Sequence, residues 1–253
     1  MRLLHHSDSG LTPLVTVAIP NFNYARYIKE CLESVRAQTF TKIGLVIVDD
    51  VSTDNSVEEI LSWVREHSGR FLSVKFLQND VNSGVAATRN AAFHEAFSPY
   101  VFSLDPDNNL YPPCVERHYE AIENSQSAFA YAYIEEFPQD DWKYGGLMGV
   151  GTWEPRRLVH GNWIDNMSLV SRSAWEKYGG YTETKPRGRE DYDLWCKFAE
   201  NNERGVLVPQ VLSRYRVHAE SIIRQIPQKE QCESGLRAHF RSVYPNLFGT
   251  HAS

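Results

Sequence analysis

The feature that most constrains the fold is an alternation of short apolar runs with segments of helical periodicity in the first half of the chain. Runs of mainly β-branched and aromatic residues occupy positions 14–19, 45–48, 74–77 and 100–104. Continuous runs of this length are typical of strands that are buried on both faces of a parallel sheet. Between the first two runs, apolar residues recur at three- and four-residue steps over positions 24–35, which predicts an amphipathic helix.

The resulting order of strand, helix, strand, helix, strand, helix, strand predicts an α/β protein with a Rossmann-like, doubly wound sheet. The second half alternates less regularly. There we expect a loop or hairpin at 139–153, a short strand at 166–170, and helices at 173–178, 190–200 and 228–244. We expect a flexible segment at 1–13, a single domain at 14–226 and a terminal helix and tail at 227–253.

Composition excludes several classes of protein. The 253 residues carry a net charge of −6 and a pI of about 5.9, which argues against a nucleic-acid partner held by a basic surface. The apolar runs are too short to span a bilayer, and the first 13 residues lack the apolar core of a secretory signal. Four scattered cysteines are typical of reduced thiols, so we expect a cytoplasmic protein without a transmembrane segment.

Acidic residues follow the fourth predicted strand, where ligands bind on doubly wound sheets. Asp105 and Asp107 are one residue apart and could hold Mg²⁺ or Mn²⁺ together with substrate phosphates. The alternative is an Asp-rich turn favoured by Pro106. A calcium loop of the EF-hand type is excluded, because Leu110 stands where that loop requires glycine.

Asp49 and Asp50 end the second predicted strand. A carboxylate in this position can accept hydrogen bonds from a nucleotide base or ribose. The alternative is local capping by the run D-V-S-T-D. The first strand is followed by PNFN rather than by GxGxxG, which counts against a nicotinamide-dependent dehydrogenase.

The second half carries further candidates. Glu190 and Asp191 begin a predicted helix, where one of them could act as general base for a hydroxyl group. The alternative is simple pairing with the helix dipole, which favours ionised carboxylates there. His218 could contact a metal or phosphate, although a single histidine is more often structural. Trp163 could stack on a sugar, and a place in the core is the equal alternative.

Six segments resemble, in order and spacing, the inverting family 2 glycosyltransferases with the A-type nucleotide-diphospho-sugar fold. They are VTVAIPNFN, LVIVDDVSTDNS, NSGVAATRNAAF, LDPDN, GREDYDLWCKFA and YRVHAESI, and the likeness runs over about 14–223. The resemblance implies a nucleotide-binding half at 14–110 and an acceptor-binding half at 111–226.

The resemblance also implies a role for each matching residue. Phe22 would shield or stack on the nucleotide base, Asp50 would accept from the imide of the base, and Arg89 would also point at the base. The nucleotide-binding residues implied are Pro20, Phe22, Asp50, Asp80, Arg89 and Asp105. Metal-binding roles fall to Asp107 and His218. Asp191 would be the catalytic base, and Glu190 and Trp163 would bind the acceptor. Two positions depart from the family pattern: Val51 replaces a usual glycine, and Asn108 stands where a further Asp is frequent.

The implied function is metal-dependent, inverting transfer of a sugar from a nucleoside-diphosphate sugar, most often a UDP-sugar, to a hydroxyl acceptor. That acceptor would be a saccharide or a lipid-linked molecule met peripherally at the inner face of the membrane, in polysaccharide or glycoconjugate assembly. Two alternatives stay open: a nucleotidyltransferase that makes sugar nucleotides, and an inactive sugar-nucleotide-binding protein. The first usually needs a Gly-rich basic loop, which PNFNYARY is not.

Overall fold

The computed structural model describes residues 1–138, 145–184, 188–218 and 233–249. Its strands are β1 (Arg2–Asp8), β2 (Val15–Asn21), β3 (Ile43–Asp49), β4 (Ser73–Gln78), β5 (Tyr100–Ser103), β6 (Asn109–Leu110), β7 (Phe129–Pro138), β8 (Leu147–Met148), β9 (Leu169–Ser171) and β10 (Gly205–Val217). Its α-helices are α1 (Ala25–Arg36), α2 (Ser56–His67), α3 (Val85–Glu95), α4 (Cys114–Ser125), α5 (Arg172–Lys177), α6 (Glu190–Glu200), α7 (Glu233–Val243) and α8 (Pro245–Phe248).

The strands form one mixed sheet in the order β1-β4-β3-β2-β5-β9-β7-β10-β6, with β8 paired to β7. Strands β2, β3, β4 and β5 are parallel to one another, as the alternating sequence predicts. The chain order reverses between β2 and β5, because β3 and β4 lie on one side of β2 and β5 on the other. Ligands on doubly wound sheets bind at such a switch point, beyond the carboxyl ends of the strands.

Helices cover both faces of the sheet, which confirms the doubly wound arrangement. In β2, Val15, Val17 and Ile19 pack on the face that also receives α1, α2 and α4. Ala18 packs on the opposite face, against the core formed with α3, α5 and α6. The central strands are therefore buried on both sides, which explains their continuous apolar sequences.

The expectation of a flexible segment at 1–13 is wrong for Arg2–Asp8, which form β1. This strand pairs antiparallel with β4, from Arg2 opposite Gln78 to Asp8 opposite Ser73. The pairing satisfies backbone groups of β4 that would otherwise lie at an open sheet edge. Because β1 is itself the edge strand and is half exposed, its sequence lacks the apolar run by which the inner strands were predicted.

Other boundaries moved by a few residues. The strand expected at 166–170 is Leu169–Ser171, and the terminal helix expected at 228–244 is α7, whose predicted residues 228–232 lie outside the described part. The hairpin expected at 139–153 is represented by β8 against β7, while residues 139–144 lie outside the description. Among the described residues, no helix combines the length and apolarity needed to cross a bilayer.

Candidate active site

The ends of three parallel strands are tied together by the buried carboxylate of Asp49. It accepts hydrogen bonds from Asn21 Nδ2 at 2.9 Å, from Ser52 Oγ at 2.5 Å and from Gln78 Nε2 at 3.0 Å. The backbone N–H of Ser52 donates to the same group at 2.9 Å. Asp49 is fully buried, so it organises the floor of the site and is not exposed to a ligand.

Asp50 orders the loop that leads into α3. Its carboxylate accepts from the backbone N–H groups of Ser83 and Gly84, both at 2.8 Å, and from Asn79 Nδ2 at 2.7 Å. Its main-chain carbonyl accepts from Asn82 Nδ2 at 3.0 Å. The residue is 3% exposed. Asp50 therefore acts as a capping residue, as the alternative expected, but it caps the loop before α3 rather than its own D-V-S-T-D run. Its contact with a nucleotide base stays a prediction.

Val51 keeps the backbone conformation that a glycine favours. Its φ of 65° lies in the left-handed region, which is unfavourable for a β-branched residue. The turn after β3 therefore has the left-handed conformation that the usual glycine would adopt easily, although valine occupies the position. The neighbouring hydrogen bonds between Asp49 and Ser52 stabilise this strained backbone.

The remaining residues expected near the base differ in exposure. Pro20 is buried within β2, opposite Val48 of β3, whereas Phe22 beyond the strand end is 42% exposed. A half-exposed aromatic ring beside the switch point is suited to stacking on a base. Asp80 is different: its side chain is 77% exposed and pairs with the amino group of Met1 at 2.8 Å.

Arg89 is the central cation of the site. Its Nη1 pairs with Glu190 Oε1, and its Nη2 pairs with Asp105 Oδ1 at 2.5 Å. Burial alone would lower the pKa of Arg89, but the two carboxylates hold it well above its usual range. The structure thus gives Arg89 two acidic partners, and its contact with a base stays a prediction. The same pair fixes Glu190, whose contact with an acceptor also stays a prediction.

Asp191 lies next to this ion pair at the start of α6. Its Oδ2 accepts from Asn162 Nδ2 at 2.8 Å, and its Oδ1 accepts from the backbone N–H of Tyr192 at 2.7 Å. Burial, with a smaller contribution from the Glu190 charge, raises the pKa of Asp191 to about 7. The expectation that the helix start favours the ionised form is therefore corrected: desolvation and a neighbouring carboxylate outweigh the helix dipole.

Asp165 is a site residue that sequence reasoning missed. Burial and the charge of Asp105 raise the pKa of its carboxyl to about 8, and Asp191 adds to the effect. Its Oδ1 accepts from the backbone N–H of Met167 at 2.8 Å, a local turn contact. The sequence D-N-M-S is typical of a turn, so only the tertiary structure brings this carboxyl near Asp105 and Asp191.

Asp107 and His218, the two residues predicted to bind a metal, are in direct contact. Asp107, after β5, lies 2.9 Å from His218, after β10, measured from Oδ2 to Nε2, and both residues are buried. Burial raises the pKa of Asp107, and the contact with His218 opposes this shift. His218 also packs against Tyr27, with ring centroids 5.1 Å apart. A carboxylate oxygen and an imidazole nitrogen from separate elements are thus brought together, and metal binding by this pair stays a prediction.

Arg216, also missed by sequence reasoning, fixes the acidic loop. Its Nε donates to the main-chain carbonyl of Asp107 at 2.9 Å, and its backbone N–H donates to Asn108 Oδ1 at 2.9 Å. Its Nη2 pairs with Glu30 of α1 at 2.5 Å. Asn108, where the family frequently has Asp, is therefore used here as a neutral acceptor for the backbone of β10.

The donor set fits a hard divalent cation that is completed by substrate. Across the described ranges, no three acidic, histidine or cysteine side chains converge as a complete metal cage. Magnesium and manganese sites at phosphate substrates use one or two carboxylates and complete their shell with phosphate oxygens and water. Asp107 and His218, with Asp105 two residues earlier, are side chains of the kind such a site uses, and their role as ligands stays a prediction.

Trp163 follows Asn162 in the chain, and the Asn162 side chain contacts Asp191. Its ring is half-buried against Tyr131 and Trp153, with centroids 5.5 and 6.4 Å away, and the Arg157 guanidinium carbon lies 4.0 Å from its centroid. The ring is therefore partly a core residue, and the acceptor role stays a prediction. Trp142, in the loop or hairpin expected at 139–153, lies outside the described residues.

Comparisons of the sequence with known proteins show the family to which the chain belongs. A sequence model described as "Glycosyl transferase family 2" matches residues 16–183. Hyaluronan synthase of Pasteurella multocida is 30% identical over 206 residues, which cover 79% of this chain and 20% of that protein.

Solved structures show the same fold. S. aureus TarS 1–349 in complex with UDP-GlcNAc superposes with a TM-score of 0.70 at 18% identity, covering 92% of this chain and 71% of that one. The mannosyltransferase PcManGT of Pyrobaculum calidifontis, in complex with GDP-Man and Mn²⁺, gives 0.68 at 17% identity, covering 93% and 66%. The family match spans more than half of the chain, and the mixed sheet is that of the A-type fold. The protein therefore belongs to glycosyl transferase family 2 and is a glycosyltransferase.

Proposed function

We propose that this protein transfers a sugar from a nucleoside-diphosphate sugar to a hydroxyl acceptor with inversion, and that it requires Mg²⁺ or Mn²⁺. The observation that carries the proposal is one constellation at the switch point of the sheet. It comprises the Asp107–His218 pair and a separate carboxylate, Asp191, whose pKa of about 7 suits a general base.

Asp191 would take the proton of the acceptor hydroxyl as that oxygen attacks the anomeric carbon. Its two hydrogen bonds hold the carboxylate in a fixed orientation, which lowers the cost of aligning it with the acceptor. No second carboxylate is needed as a nucleophile in this single displacement, so configuration inverts. The ion pairs of Arg89 with Glu190 and with Asp105 would hold the start of α6, which carries Asp191, in a fixed position relative to the donor-binding side of the site.

Asp105, Asp107 and His218 are the residues that would hold the cation. When bound, such a cation supplies positive charge that stabilises the leaving nucleoside diphosphate. Support for this assignment comes from the fit of the donor set and from the fold shared with PcManGT, which was solved with GDP-Man and Mn²⁺.

A UDP-sugar is our proposed donor, and assembly of a cell-surface polysaccharide or glycoconjugate is the proposed process. The support is similarity to TarS, solved with UDP-GlcNAc, and to a hyaluronan synthase. A saccharide or lipid-linked acceptor, a cytoplasmic location and contact with the inner face of a membrane remain predictions. A nucleotidyltransferase is disfavoured, because the family match is to glycosyltransferases.

The test is a transfer assay with Mn²⁺, a panel of UDP- and GDP-sugars and saccharide acceptors, in which the anomeric configuration of the product is read by NMR. We expect an inverted product from the parent protein. Asp191→Asn should lower transfer by roughly a hundredfold or more, with donor affinity retained in calorimetry. A product of retained configuration, or parent-like transfer by Asp191→Asn, would contradict the proposal.

A further inference from the structure

The side chain of Asn162 makes a direct contact with the proposed base. Its Nδ2 donates to Asp191 Oδ2 at 2.8 Å, across 29 positions of sequence. The residue follows the 3-10 turn Pro155–His160 and precedes the half-buried Trp163. Asn162 therefore connects the segment of Trp163, which is predicted to bind the acceptor, directly to the Asp191 carboxylate.

We propose that Asn162 is a positioning residue for Asp191, which orients the carboxylate and favours its charged form. The inference rests on the proposed function, in which Asp191 is the base. Asn162 Nδ2 can only donate, so it bonds best to an ionised carboxylate oxygen. The opposite oxygen, Oδ1, is held by the backbone N–H of Tyr192, so the two donors together fix the carboxylate plane.

The surroundings make this one neutral donor important. The charge of Glu190 opposes the ionisation of Asp191. The charge of Asp191 in turn raises the pKa of four neighbouring groups: Asp165, Tyr181, Cys196 and Tyr215. Against the Glu190 charge stand the Arg89 charge, the Tyr192 N–H and the Asn162 amide, which lower the pKa of Asp191. Because Arg89 is already engaged by Glu190 and Asp105, Asn162 is the side chain in this set that donates to Asp191 itself.

Asn162 also has a local structural contact, which the test must separate from positioning. Its Oδ1 accepts from the backbone N–H of Ile164 at 3.4 Å, a weak bond within the same loop. Asn162→Asp keeps this acceptor and replaces the donor with a second carboxylate. Asn162→Ala removes both. The two substitutions therefore have opposite orders of severity under the two roles.

The experiment measures kcat/KM against pH for the parent, Asn162→Ala and Asn162→Asp, together with donor affinity by calorimetry and thermal midpoints. We expect the acidic limb of Asn162→Ala to move up by roughly one pH unit. Asn162→Asp should move it further, because a carboxylate then faces Asp191. Donor affinity should stay within about threefold of the parent in both variants.

The inference is overturned if the limb stays at the parent position in both variants, or if Asn162→Asp behaves like the parent while Asn162→Ala only loses stability. The second pattern would assign Asn162 to the loop alone. Failure of the proposed function is distinguished by Asp191→Asn: if that variant transfers sugar at the parent rate, Asp191 is not the base, whatever the Asn162 variants do. A pH-limb shift in the Asn162 variants alongside an inactive Asp191→Asn supports both assignments.

Discussion

Arg89 and Glu190 are in direct contact through guanidinium and carboxylate, although 101 positions separate them in the chain. Arg89 belongs to α3, in the half expected to bind the nucleotide, and Glu190 begins α6, which carries the proposed base. Because Arg89 also pairs with Asp105 after β5, one buried cation joins the two parts of the site. The site is therefore held by an interaction that neither half can form alone.

The first prediction concerns this cation. Arg89→Ala leaves the buried Glu190 carboxylate and the Asp105 carboxylate without their common partner, so the free energy of unfolding should fall by about 3 kcal/mol. Urea denaturation followed by circular dichroism measures the change. The control is Arg117→Ala, which breaks an exposed pair with Glu120 on α4 and should cost less than about 1 kcal/mol. Similar losses in both variants would argue against a central role for Arg89.

Nucleotide binding should depend on a divalent cation. Calorimetry with UDP and Mn²⁺ should show affinity falling at least about tenfold in Asp107→Ala or after EDTA, because Asp107 would help to hold the cation and the cation would supply positive charge to the diphosphate. Asp80→Ala, at an exposed carboxylate paired with Met1, tests the predicted base contact in the same assay and should also lower the affinity. Equal affinity with and without metal would remove the metal assignment, and parent-like affinity in Asp80→Ala would remove Asp80 from the predicted nucleotide site.

The pH dependence of the parent enzyme follows from Asp191. A general base must be deprotonated before it can take the proton of the acceptor hydroxyl. Burial raises the pKa of the Asp191 carboxyl to about 7. We therefore expect kcat/KM to rise as pH increases through about 7, falling by about tenfold per unit on the acidic side. Initial rates across that range, at a fixed Mn²⁺ concentration, provide the measurement. A rate independent of pH between about 6 and about 8 would show that a group with a lower pKa is the base.

Val51 offers a test of backbone strain. Val51→Gly should raise the free energy of unfolding by roughly 0.5 to 1 kcal/mol, because relief of the left-handed conformation exceeds the entropy cost of glycine. Val51→Ala is the control: it removes the β-branch but keeps a Cβ, so it should recover less. Thermal and urea unfolding measure both. If glycine destabilises the protein, the Val51 side chain contributes more by packing than the backbone loses by strain.

Much of the site was within reach of the sequence, because its residues follow predicted strands. Asp50, Asp105 and Asp107 come directly after apolar runs, and parallel strands bring their carboxyl ends to one edge. Asn162, Asp165 and Arg216 could not be identified in this way. Each lies in the second half of the chain, where predicted strands and helices do not alternate regularly. The role of each depends on a residue far away in the sequence: Asp191 for Asn162, Asp105 for Asp165 and Glu30 for Arg216.

Sequence alone determined the α/β class, the parallel central strands and the placement of acidic residues at their ends, since these depend on local periodicity and on the geometry of strands. The tertiary structure decided the rest. It placed Arg2–Asp8 as an edge strand, turned Asp50 toward the loop before α3, and gave Arg89 two acidic partners. It also set the pKa of Asp191, because desolvation and neighbouring charges arise only when residues far apart in the chain are packed together.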